Sequence, residues 1–143
     1  LMQRAGTIHR QYEAIVHGHV ENQSIIAPIG RKDTSIIERE VREDGQYAHT
    51  DVSVVKHFMI DGKPYSHIRL KLYTGRTHQI RVHMAHIGHP LVGDELYGGS
   101  RALLARQALH CVRLQLAHPV SGEPLLFNSS LPADMQAIVG VGR

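Results

Sequence analysis

The 143-residue chain contains one cysteine, Cys111, and no apolar run close to the ~18 residues that a membrane-spanning helix needs. A lone cysteine excludes an internal disulfide framework and points to a reducing, cytoplasmic setting. No membrane partner is expected. The first ten residues lack the charged-then-apolar pattern of a secretory signal. No internal repeat or low-complexity tract occurs. Hydrophobic residues at 42% and charged residues at 20% exclude a disordered, collagen-like or coiled-coil chain. Gly-x-Ser-x-Gly and Walker A motifs are missing, which leaves a serine-hydrolase elbow and a P-loop without support. Acidic side chains are absent between Asp61 and Asp94. A chain of this length fits one domain, residues 1–143, with roughly 68–70% of its unfolded surface buried.

What is present is unevenly charged. Residues 1–61 carry a net −2, residues 62–122 a net +6, and residues 123–143 a net −1. Arginine outnumbers lysine 12 to 4. Guanidinium forks match phosphate and carboxylate oxygens bidentately, whereas ammonium groups act as point charges. The basic middle of the chain suits an anionic partner such as nucleic acid, and charge alone leaves a solvated basic face without a partner equally open.

Apolar alternation predicts strands over 12–20, 50–58, 68–73, 108–118 and 125–128. Asp61-Gly62 reads as a hairpin turn. In the third strand Ile68, Leu70 and Leu72 face inward, while Arg69, Lys71 and Tyr73 face outward. Turns are expected at Ala27–Gly30, Glu43–Gly45 and Pro119–Gly122. A helix capped by Thr77 carries Ile80, Met84 and Ile87 and stops at Gly88. A short helix over 103–107 and a terminal helix beginning at Pro132 complete the pattern. Neighbouring strand pairs with few crossover helices give an α+β fold, a mixed but largely antiparallel sheet with a few flanking helices.

Twelve histidines are many for this length. His83, His86 and His89 recur at helical spacing, which raises the prospect of a His-rich metal carrier. Their spacing fits neither His-Glu-x-x-His nor a Cys/His zinc pattern, so no metal is expected. Cys111 sits in an apolar strand, where inert packing is the default. The densest polar segment runs from Leu72 to Met84. A strand with a basic outer face enters a Gly turn, and a helix then begins amid Arg76, His78, Gln79 and Arg81. Cations are out of place at a helix N-terminus. Their crowding there predicts an anion at this end, either a phosphate or a carboxylate from elsewhere in the fold.

That segment resembles a signature of the RluA-type pseudouridine synthases. Gly88–Asp94 with Tyr97-Gly98-Gly99, Arg106–His110 followed by His118-Pro119, and Arg10–Ala14 resemble further blocks of the same family, in family order. Order and spacing favour its RluD-like, large-subunit ribosomal RNA branch. The resemblance implies isomerisation of uridine to pseudouridine in RNA, ribosomal RNA in the RluD-like branch, with no cofactor and no metal. By position, Tyr12 matches the tyrosine that packs against the target base and serves as a base on the sugar. Arg81 matches the arginine that pairs with the catalytic carboxylate. Arg76, His78 and Gln79 fall at the pocket rim, and with Lys71, Arg69 and Arg113 are assigned to RNA binding.

The family's nucleophilic aspartate lies in a His-Arg-Leu-Asp block that precedes the tyrosine block. No Arg-Leu-Asp string occurs in this sequence, and every aspartate follows Tyr12. The expectation is the C-terminal part of a catalytic domain, inactive alone, whose incomplete sheet leaves an edge for self-association. The alternative is a non-catalytic RNA-binding module that keeps the basic surface.

Overall fold

The computed structural model describes residues 8–117 and 119–141. These fold around an antiparallel sheet. β1 (Ile8–His17), β5 (His49–Ile60), β6 (Lys63–Leu72) and β7 (Leu109–Ala117) are its long strands, joined by β2 (Gln23–Ile26) and β8 (Pro124–Asn128). The order across the sheet is β2-β5-β6-β1-β7-β8. Every ladder among the described residues is antiparallel, so the mixed element of the expected sheet is not seen there. β3 (Ile29–Arg31) and β4 (Arg39–Val41) form a separate two-stranded ribbon.

Alternation along β1 builds two cores. Ala14 and Val16 join Val52, Ile68 and Leu70 on one face, where α1 (Gln79–His86) brings Ile80 and Met84. Ile15 points to the opposite face and meets Phe58, Tyr65 and Val92, covered by Met135 and Ile138 of α2 (Ala133–Val141). Period-2 side-chain direction is the physical reason that one strand feeds both layers.

Several expectations need correction. The first strand runs Ile8–His17 rather than 12–20. Beyond His17 the backbone leaves the ladder for a side chain: the Ser66 hydroxyl donates to the Gly18 carbonyl at 2.7 Å and accepts from the Val20 amide at 3.0 Å. The turn expected at Ala27–Gly30 runs into β3, whose Ile29 pairs with Val41 and is buried. No helix forms over 103–107. Leu103 and Leu104 are instead drawn into the second core, and the Leu104 and Arg106 carbonyls lie against Gly93. Cys111 is half-buried rather than a core residue. The start of α1 is capped at His78, not Thr77.

Candidate active site

The turn between β6 and α1 is held from below by a chain of hydrogen bonds that runs from half-buried at the turn to fully buried at His83. The Thr74 hydroxyl accepts from the His49 amide at 3.0 Å and donates to Gln79 Oε1 at 2.7 Å. The same Oε1 accepts from the Arg76 amide at 3.0 Å. Gln79 Nε2 donates to the His49 carbonyl and to Thr50 Oγ1. Thr50 in turn meets His83 Nδ1 at 2.8 Å, and His83 Nε2 reaches the Ala27 carbonyl at 2.9 Å. A carbonyl only accepts, so the His83 proton sits on Nε2 and Nδ1 accepts from Thr50. Burial lowers the His83 pKa and keeps this imidazole neutral.

Sequence reasoning assigned Gln79 to the rim, and the structure adds that it is buried and braces the turn. His78 follows in a left-handed conformation, φ 57°. Its Nδ1 lies 2.8 Å from the Tyr97 hydroxyl, which also accepts from the Arg39 amide. Burial, then the nearby Arg81 and Arg39 charges, lower the His78 pKa. The same burial raises that of Tyr97. A protonated phenol thus faces a neutral imidazole.

In the first turn of α1, Arg81 is held on two sides. Its Nε and Nη2 donate to Asp94 Oδ2 and Oδ1, both at 2.9 Å, and its guanidinium carbon lies 5.0 Å from the centre of the Tyr97 ring. Hydrogen bonding to Asp94 raises the Arg81 pKa further. This corrects one expectation: the paired oxygens that grip the fork come from Asp94 of the same chain. The anion expected near the start of this helix is a carboxylate from elsewhere in the fold. The Asp94 side chain is 1% exposed and does not line the cleft, so it holds the guanidinium and cannot meet a substrate.

Tyr12 in β1, Arg76, His78, Gln79 and Arg81 line one open cleft of about 270 Å³, walled by Leu72, Ile80, Gln107 and Leu109. Arg76 is steadied by its Nε donating to the Tyr47 carbonyl at 2.6 Å. Burial raises the Tyr12 pKa, with Cys111 adding to it and Arg10 opposing it, so the phenol stays protonated near neutral pH. Five of the residues singled out from sequence therefore meet in one place. Lys71 and Arg113 line a neighbouring cleft that shares Leu72. Arg69 joins neither: it shares the face of β6 that carries Lys71, but two residues further from the clefts it pairs with Glu13, whose second oxygen takes His67.

Asp94, Tyr97 and Gln107 fall within the family-like blocks but carry no role in the sequence reading. A signal for Asp94 was present, since it ends the acid-free stretch in a chain whose densest guanidinium segment lies inside that stretch. Among the described residues no group of three or more His, Cys, Asp or Glu is placed to hold a metal ion. His83 and His89 bond to different carbonyls, those of Ala27 and His17, and His86 is exposed.

The cleft offers an aromatic face, apolar walls, amide groups and a fixed cation, a set suited to a flat polar ring attached to an anionic strand. Comparison with known proteins agrees in kind. Residues 1–86 match the family model of RNA pseudouridylate synthase. The uncharacterized RNA pseudouridine synthase YjbO of Bacillus subtilis is 45% identical over 141 residues, covering 96% of this chain and 48% of that protein. Ribosomal large subunit pseudouridine synthase D of Escherichia coli is 40% identical over 151 residues, covering 95% of this chain and 45% of its own length. The chain spans about half the length of the curated relatives it matches. Among solved structures, human RNA pseudouridylate synthase domain containing 1 superposes with a TM-score of 0.76 at 28% identity, covering 94% of this chain and 65% of that one. With the family model spanning β1, β6 and α1 of the cleft and the curated relatives matching nearly the whole chain, the chain belongs to the RNA pseudouridylate synthase family.

Proposed function

We propose that this chain forms the base-binding wall of an enzyme that isomerises uridine to pseudouridine within RNA. The convergence of Tyr12, His78 and Arg81 on one cleft carries this reading. The target base leaves its stack and enters the cleft, as bases do when enzymes act on them. Tyr12 packs on its face. Its raised pKa supports this packing role better than a role as base on the sugar, because a base would need the phenolate. The N1–C1′ bond breaks, the ring turns, C5 bonds to C1′, and the C5 proton is exchanged for one on N1. No atom is gained or lost, so the reading needs no cofactor.

The nucleophilic carboxylate is proposed to come from outside these 143 residues and to approach the part of Arg81 that Asp94 leaves open. Asp94 occupies Nε and Nη2, and no hydrogen bond to Nη1 is found among the described residues. Ribosomal RNA is the proposed substrate, on the strength of the relative named for the ribosomal large subunit, and a cytoplasmic setting goes with it. Self-association through the outer strand β8 is retained as a proposal, tested by sedimentation at two concentrations; an unchanged monomer mass at both refutes it.

Incubation with unmodified ribosomal RNA, followed by mapping of pseudouridine, tests the reading. The 143-residue chain alone is expected to yield no product, and the polypeptide that includes its upstream coding sequence is expected to yield it. Product from the chain alone refutes an outside nucleophile. A second reading, an RNA-binding module without catalysis, is favoured by one observation: the Arg81 fork is already satisfied within the chain. An in-frame His-Arg-Leu-Asp string upstream of Leu1 decides for the enzyme, and a start codon close to Leu1 for the module.

A further inference from the structure

Beside the base cleft lies a second one, of about 300 Å³, lined by Arg10, Gln11, Lys71, Leu72, Arg113 and Gln115. Three cations and two amides line it, and no carboxylate does. The strand register explains the convergence. Gln11 of β1 pairs with Lys71 on one side and with Arg113 on the other. Lys71 and Arg113 therefore flank it two strand spacings apart, roughly 10 Å, within reach of two long side chains closing on one small anion. β1 serves both clefts, with Arg10 and Gln11 lining this one and Tyr12 the base cleft.

Elsewhere among the described residues several guanidinium groups are paired with acids, while Arg39 and Arg76 donate to backbone carbonyls instead. Arg42 holds Asp33 and Asp44, Arg69 holds Glu13, Arg81 holds Asp94, and Arg106 holds Asp134. Among the described residues no acid lies within ion-pair distance of Arg10, Lys71 or Arg113. The acid nearest in register to Lys71 is Asp51, directly opposite on β5. Its carboxylate is engaged by the Ser24 hydroxyl at 2.6 Å and by His49 at 3.0 Å. Three like charges gathered without a counter-charge repel one another, and an anion from outside reverses the sign of that term.

We propose that Arg10, Lys71 and Arg113 form a seat for a backbone phosphate of the RNA strand whose base occupies the neighbouring cleft. The proposal rests on that cleft being the uridine site. Leu72 walls both clefts, so a single strand has room to place a base in one and a neighbouring phosphate in the other. This continuity favours a phosphodiester over an acidic peptide, which would have no reason to enter the base cleft.

The test is fluorescence anisotropy of the 143-residue chain with a labelled single-stranded 10-mer RNA bearing one uridine, across a series of KCl concentrations. Arg10→Gln/Arg113→Gln is compared with Arg101→Gln, which removes a charge outside both clefts. The double variant is expected to bind about tenfold or more weakly in 0.1 M salt. Its log K against log salt slope should be shallower by about 1.4, roughly 0.7 for each lost phosphate contact. Melting curves confirm that each variant is folded, and Arg10→Lys/Arg113→Lys, which keeps the charge, should restore most of the binding. An Arg101→Gln loss as large as that of the double variant, or an unchanged slope, overturns the seat while leaving the base cleft in place. Polyglutamate competing as well as RNA overturns the phosphodiester assignment. Failure of the unmodified chain to bind RNA at all removes the uridine reading and the seat with it.

Discussion

The Arg81 guanidinium and the Asp94 carboxylate meet edge to edge through two hydrogen bonds of equal length, 2.9 Å. Thirteen residues separate them in sequence, and the loop between them crosses Gly88, Pro90 and Gly93 before delivering the acid. Tyr97, three residues further on, covers the guanidinium with its ring and holds His78 with its hydroxyl. One loop thus orients two of the cleft's side chains without entering the cleft itself.

Asp94→Asn keeps the shape of the side chain and removes its charge. The guanidinium then sits 15% exposed without its counter-ion. The expected loss of stability is about 3 kcal/mol, the low end for a broken buried pair because Arg81 borders an open cleft. Chemical denaturation checks this. In the full-length enzyme, turnover should fall far more than RNA affinity, as single-turnover kinetics with a binding assay would show.

Tyr12→Phe and Tyr12→Ala separate the ring from its hydroxyl. If Tyr12 packs on the base, Phe keeps RNA affinity within about twofold, while Ala weakens it by about 1–3 kcal/mol, the range for loss of one base–aromatic stack. Equal losses from both would show that the hydroxyl matters and would restore the role of base on the sugar. Anisotropy titrations decide between them.

His83 predicts a pH dependence of stability. Its folded-state pKa is depressed below the ordinary imidazole value of about 6.5, first by burial. Below that value the unfolded chain takes up a proton that the folded chain refuses, so stability falls as the pH drops from about 6.5. His17 and His78, also shifted down, act in the same direction. Asp44 and Asp51 are held below the usual carboxylate range and contribute only at lower pH. In urea melts between pH 7 and 5, His83→Gln should flatten the slope by at most about 1.4 kcal/mol per pH unit, one proton's worth.

Two glycines with similar backbone angles should respond differently to alanine. Gly93, at φ 82°, has the Leu104 and Arg106 carbonyls where a Cβ would go. Gly88, at φ 87°, has open space. Gly88→Ala should cost about 1–2 kcal/mol, the conformational strain alone. Gly93→Ala adds a clash with backbone and should cost about 2–4 kcal/mol. It should also loosen the Arg81–Asp94 pair, visible as lost protection of the Arg81 side-chain resonance by NMR.

Local pattern was enough to show that the long strands and the site helix exist, but not where β1 begins and ends. Ile68, Leu70 and Leu72 alternate with basic residues, and β6 runs where that alternation says; Ile80 and Met84 recur at helical spacing, and α1 packs them against the sheet. It was not enough for β2, β3 and β4, which have three or four residues each and take their form from partners far along the chain. Thr77 has the chemistry of a helix cap, yet Gln79 does the bracing from inside the first turn because Thr50 and His49 lie beneath it. Such a preference for one side chain over another depends on what folds back against it.

Chain order alone determined that Arg76, His78, Gln79 and Arg81 stand together, since they occupy one turn and the first turn of the helix after it. Which of the chain's basic side chains would be free to meet an anion was decided only when distant segments arrived. Asp94 neutralised Arg81, Glu13 claimed Arg69, and no acid reached Arg10, Lys71 or Arg113 among the described residues. The physical reason is range: hydrogen-bonding propensity and periodicity act over a few residues, whereas the pairing of charges is set by where the folded backbone puts their partners.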